Sequence, residues 1–122
     1  MKPSIHARNS ARKHGGKADD YIAIHEWFDQ TKAHVADMRH RAILHNSFGI
    51  YLCAQQFGRL ITNSDGVNID VRDVGEDHVL EDLGRIPSLH ECLAGLKLSD
   101  VLGARQRKSY RKSYDELKGA VR

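Results

Sequence analysis

The longest uninterrupted helical pattern in the chain runs from about Asp29 or Thr31 to Phe57. Its first half is amphipathic, and its second half, Ile43 to Phe57, is apolar almost all round, as expected of a central buried helix. Only Gly49 interrupts it, and Gly58 supplies a natural stop. Two shorter helical patterns precede it. Residues 4–14 close on Gly15–Gly16, and Tyr21 to Phe28 follows an N-cap at Asp19 or Asp20. The character then changes. Leu60–Thr62 and Val67–Val71 read as short strands around Asn63-Ser64-Asp65-Gly66, an Asp-Gly hairpin signal between β-branched runs. Asp73 is placed to cap a helix running to Leu83. Ser88 and Glu91 form a capping-box pattern for another through Leu96, and Ser99 to Arg122 reads as a terminal helix. These elements predict a mainly α fold: a small helical domain around one long central helix, with a short β-hairpin inserted at about residues 60–71.

A chain of 122 residues, 40% hydrophobic and 29% charged, falls in the range of a single globular domain spanning 1–122. No stretch of about 18 apolar residues exists, so no membrane contact is expected. The two cysteines, Cys53 and Cys92, lie in apolar patterns and form no Cys-x-x-Cys pair. That favours free thiols and a cytoplasmic location. The net charge of +3 is strongly segregated. Residues 1–18 carry five basic groups and no acid, the core 19–96 carries six basic and 13 acidic groups, and residues 97–122 carry eight basic and three acidic groups. An acidic body with basic ends suits a homo-oligomer or a polyanionic partner, although charged termini also serve simply to solubilise a chain.

Four of the eight histidines lie between residues 25 and 45, which changes the picture. On a continuous helix, at about 100° per residue, His34, Asp37, Arg41 and His45 share roughly an 80° arc. Arg41, with Arg39, offers planar donor forks for phosphate or carboxylate, and the histidines add hydrogen bonds. The ligand-binding set expected for an anion is therefore His34, Asp37, Arg39, Arg41, His45 and His78. A metal is the less favoured alternative, with His25, His34, Asp37 and His78 as candidate ligands. His34 and His45 would stand roughly 16 Å apart along a straight helix, too far to share one ion. His25 and Asp29 have their own four-residue spacing, but no His-Glu-x-x-His or adjacent His-Asp pair is present. The bland reading of the stripe is an Asp37–Arg41 ion pair with histidines packed in an interface.

Glu81 and Asp82 end a helical turn, where the macrodipole disfavours carboxylates, so both should have cationic partners. The stretch 105–114 interleaves five positive charges with two tyrosines, a composition compatible with nucleic acid. No Gly-x-Ser-x-Gly elbow, Walker loop or dinucleotide glycine pattern exists.

The segments Gly15-Gly-Lys, Ile24-His25-Glu-Trp-Phe-Asp29, Lys32-Ala-His34, Asp37-Met-Arg39-His40-Arg41-Ala, His45 and Phe48-Gly-Ile50 resemble an uncharacterised family of short bacterial and phage proteins, a domain of unknown function. Thr62-Asn-Ser-Asp-Gly66 and Val71-Arg-Asp-Val-Gly-Glu-Asp-His78-Val-Leu-Glu-Asp-Leu-Gly-Arg-Ile-Pro87 extend the likeness over roughly residues 12–95. The resemblance implies a phage or prophage setting, a host-cytoplasm location and an accessory role such as counter-defence, and it assigns no catalytic residue. The expectation is an accessory protein binding a nucleotide or other phosphate through the His/Arg-lined helix face. The alternatives are a metal-dependent phosphoester hydrolase and an interaction module with no small-molecule ligand.

Overall fold

The computed structural model describes residues 1–103. Among them Met1–Cys92 forms one compact unit, and Leu93 onward belongs to a second, of which helix α7 (Leu98–Val101) is described. The fold is mainly α with one small antiparallel hairpin, as the pattern predicts. In chain order the helices of the first unit are α1 (Pro3–His14), α2 (Ile22–Phe28), α3 (Arg41–Leu44), α4 (Ser47–Phe57), α5 (Val71–Leu83) and α6 (Leu89–Leu93). Strands β1 (Leu60–Thr62) and β2 (Asn68–Asp70) pair in the register Leu60–Asp70, Ile61–Ile69, Thr62–Asn68. The terminal helix expected over Ser99–Arg122 and the basic stretch 105–114 lie largely or wholly outside the described residues.

One expectation is corrected. The stretch 29–57 is not one long central helix. After α2 the chain makes a 3-10 turn over Gln30–Ala33, another over Met38–His40, and only then α3 and α4. Polar side chains make the two later breaks. Asp37 accepts a hydrogen bond from the Arg39 amide and caps the second turn. Asn46, fully buried, accepts from the Gly49 amide to cap α4 while its Nδ2 donates to the Ala42 and Ile43 carbonyls at the end of α3. A capping residue that satisfies both helix ends stabilises the corner more than continued helix would. Gly49 completes it, because a Cβ there would stand 1.7 Å from the Leu44 carbonyl oxygen.

The core is built from Ala7, Tyr21, Ile24, Phe28, Leu44, Ile50, Cys53, Ile69, Val71, Val74 and Val79. Burial alone pushes the Cys53 thiol up to about 12, which leaves it an inert hydrophobe. α5 starts one turn earlier than Asp73, with Asp70 as its cap. The hairpin avoids isolation by docking on the α1–α2 corner. Asp20 accepts from the Ser64 amide and hydroxyl, and Asp65 accepts from the Gly16 amide. Asn63 Nδ2 reaches the His14 carbonyl and the Tyr21 hydroxyl. Ser88 and Glu91 form the expected capping box of α6.

Gly49→Ala is expected to destabilise the protein by about 3 kcal/mol or more, since the clash is with backbone that cannot rotate away. Gly95, whose added Cβ meets nothing within 4 Å, is the control, with Gly95→Ala expected within about 0.5 kcal/mol of the parent. Urea denaturation of both variants measures the difference.

Candidate metal centre

The broken helix has a chemical consequence. Asp29 and His45 are sixteen residues apart, about 24 Å along a continuous helix. In the folded chain His45 Nε2 lies 3.5 Å from Asp29 Oδ1. Asp29 is the first residue beyond α2, and His45 the first beyond α3. Facing them, α5 presents His78 and Asp82 from one side, four residues apart. His78 Nε2 is 3.1 Å from His45 Nε2, 3.5 Å from Asp29 Oδ1 and 3.4 Å from Asp82 Oδ2. His45 Nε2 is 2.9 Å from that same Asp82 oxygen. All four donor atoms lie within 4.8 Å of one another.

These are the dimensions of a tetrahedral cage. Donors at about 2.0–2.1 Å from a central ion stand about 3.3–3.4 Å apart, against 2.9–3.5 Å for the five separations above. The donor chemistry agrees, with two imidazole nitrogens and two carboxylate oxygens. That set suits zinc, cobalt, iron or manganese better than magnesium, which keeps several waters, or calcium, which takes six to eight oxygens at longer range.

A second layer surrounds the four. On α1, His6 and Ser10 are one helical turn apart and both buried. His6 Nε2 is 3.1 Å from Asp82 Oδ1 and its Nδ1 is 2.8 Å from Glu81 Oε2. Glu81 in turn accepts from Asn9 Nδ2 at 2.6 Å. His25 Nδ1 faces His78 Nδ1 at 2.9 Å, and His25 Nε2 faces the Ser10 hydroxyl at 2.7 Å. Phe28 stacks on the His78 ring at 4.8 Å. Gly75 leaves room for that ring, since a Cβ would meet Phe28 at 3.0 Å. Arg41 Nη2 lies 3.6 Å from Asp82 Oδ1, and the Met1 ammonium 3.3 Å from the same atom. Three buried atoms beside the cage, Asp29 Oδ2, Arg41 Nε and His45 Nδ1, have no hydrogen-bond partner.

Burial opposes charge on each of the five groups at the centre and on the relay, and it prevails at two of them. It lowers His25 to about 3, helped by the neighbouring His78 and His6. It lowers His45 despite the Asp82 hydrogen bond. At His78 burial is outweighed by Asp29 and Asp82, whose carboxylates raise it above 6.5. Burial works against the Asp82 charge too, yet hydrogen bonds from His45, His6 and His78 hold its carboxyl far below the usual range. Asp29 is lowered for similar reasons, against burial, by His78, Lys32 and His45.

The expected anion stripe does not assemble. His45, His78 and Arg41 are at the centre, but His34, Asp37 and Arg39 are exposed. Asp37 pairs with Arg39 at 2.7 Å instead of Arg41 and is held down to about 2 by that neighbour. Of the metal candidates, His78 is in the cage and His25 behind it, while His34 and Asp37 are in neither. Sequence reasoning passed over Asp82 as a candidate donor and His6 behind it. The signal was a repeated His-x-x-x-Asp spacing at His25/Asp29 and His78/Asp82.

A family model described as Domain of unknown function (DUF6915) matches residues 1–102. No curated protein and no solved structure matches the chain.

Zinc or cobalt at about 100 times its dissociation constant should stabilise the protein by about 2.7 kcal/mol, with no such effect from magnesium. Asp82→Asn should abolish that gain and His34→Ala should keep it, which thermal melts with each ion will show. The metal-free protein should be most stable between the two titration ranges. The contribution of Asp82 is present above 3.8 and lost as pH falls below it. The contribution of His78 is present below 6.5 and lost as pH rises through its raised value. Urea midpoints from pH 3 to 9 after chelation test both limbs.

Proposed function

The chain belongs to the DUF6915 family, and we propose from its own residues that it is a metal-dependent phosphoester hydrolase. Asp29, His45, His78 and Asp82 hold a divalent d-block ion, and Arg41 meets the anionic substrate. The observation that carries this reading is the set of five donor separations of 2.9–3.5 Å, which fit one tetrahedral ion.

Each neighbour then has a task. The ion supplies Lewis acidity toward water and a phosphoryl oxygen, and mixed nitrogen–oxygen sites of this kind tolerate a fifth donor during turnover. Arg41 is one-fifth exposed, with its Nη2 near Asp82 and its Nε buried and unpaired. A phosphate oxygen would satisfy that donor and offset the guanidinium charge. Asp29 Oδ2, buried without a hydrogen bond and 3.8 Å from the Lys32 ammonium, is the base available to accept a proton from the attacking water. The water oxygen bonds to phosphorus, the ester P–O bond breaks, and the alcohol leaves with a proton.

The unpaired Arg41 Nε also favours a second reading, in which a phosphate-bearing ligand is held beside the centre without turnover. Manganese- or zinc-loaded protein assayed on bis(p-nitrophenyl) phosphate separates the two. Hydrolysis that chelation abolishes and metal restores is expected, with Arg41→Ala lowering kcat/KM by about 100-fold, on the scale of a lost charged contact to substrate. Metal and phosphate binding without hydrolysis would leave the second reading. Turnover that survives chelation would exclude the first.

A further inference from the structure

Three buried side chains behind the cage, Ser10, His25 and His6, and the half-buried Glu81 touch no donor position of the ion. Their arrangement fixes proton positions, and it rests on the metal reading above. For His78 Nε2 to offer its lone pair to an ion, the ring proton must sit on Nδ1. That Nδ1 faces His25 Nδ1 at 2.9 Å, so the His25 nitrogen must accept. The His25 proton is then on Nε2, 2.7 Å from the Ser10 oxygen, which accepts it. All three residues are buried: His25 and His78 are fully buried and Ser10 is 2% exposed.

We infer that Ser10 and His25 are positioning residues that set the His78 tautomer, so that a single hydroxyl on α1 controls how tightly the centre holds its ion. His6 performs the parallel service for the carboxylate ligand. By occupying Asp82 Oδ1, with Glu81 behind it at 2.8 Å, it leaves Oδ2 to the cage. Both arms start on one face of α1, four residues apart, which explains why that buried face carries a histidine and a serine beside Ala7. Second-layer partners of ligating histidines ordinarily accept through a carboxylate or carbonyl; here a second imidazole and then a hydroxyl take that place.

Without the Ser10 oxygen, the His25 proton gains more by moving to Nδ1 and donating to His78 Nδ1. His78 then carries its own proton on Nε2, pointing into the cage, and an ion must displace it. The test is a cobalt titration of chelator-treated protein, with zinc competition for affinity, on the parent, Ser10→Ala and Ser10→Thr. Expected are tetrahedral cobalt absorption bands in the parent, binding weaker by about 10–100-fold in Ser10→Ala, and recovery to within about threefold in Ser10→Thr, the scale typical of second-layer partners. Ring-nitrogen NMR of the zinc-loaded protein should place the His25 proton on Nε2 in the parent. Equal affinity in all three proteins, or a threonine variant as weak as alanine, overturns the inference while leaving the centre in place. Should Ser10→Ala fail to fold, the parent spectrum decides alone, because a His25 proton on Nδ1 overturns it. A parent that takes up neither cobalt nor zinc overturns the metal reading itself.

Discussion

Asp82 keeps a negative charge on a side chain that is 1% exposed, and most of the unit is arranged around that fact. Moving a carboxylate out of water costs several kcal/mol even after relaxation unless it gains close, well-aimed partners. Asp82 has them from every direction: His45 and His78 on one oxygen, His6, Arg41 and the Met1 ammonium on the other. Those partners come from both ends of the unit's sequence, so satisfying one charge fixes how α1, α3 and α5 sit against one another. It also explains why α5 ends on Glu81-Asp82, where the helix dipole alone would favour cations.

The same constraint accounts for the shape of the chain between residues 29 and 47. A straight helix would carry Asp29 and His45 to opposite ends of the domain. The turns at Gln30–Ala33 and Met38–His40, with the Asn46 corner, return the chain to its starting point and bring the two residues to 3.5 Å. Local polar capping and the requirement of the centre therefore act in the same direction. The hairpin contributes indirectly, by holding the α1–α2 corner through Asp20, Asn63 and Asp65, and so keeping His6 and Ser10 against His25.

Much of the fold was legible because its signals are local. Gly15, Gly58 and Gly84 end helices, Asn63 to Gly66 turn the hairpin, and Ser88 with Glu91 opens α6. The centre was legible only in part. Helical periodicity grouped His34, Asp37, Arg41 and His45, but that grouping assumed a helix that Asn46 and Gly49 break. An asparagine three residues before a glycine, inside an apolar run, is an N-cap pattern, and apolarity masked it. His6 was hidden because its neighbours are basic and the segment reads as a solvated tail. The disfavoured carboxylates at the end of α5 did announce partners, and imidazoles, with Arg41, supply most of them.

What distinguishes this centre from an ordinary polar core is the pair of imidazole nitrogens, His45 Nε2 and His78 Nε2, that face each other at 3.1 Å between two carboxylate oxygens. Ring protons on both imidazoles can satisfy the two carboxylate oxygens, but they then set two Nε2–H groups against each other at 3.1 Å. Well-packed apolar side chains of similar size would stabilise the same space better, since buried charged networks often contribute less than their hydrophobic replacements. Such an arrangement is costly for a protein that binds nothing there. It becomes favourable when a dication takes all four donors at once, which also explains why the second layer consists of groups that hold each ligand in one protonation form.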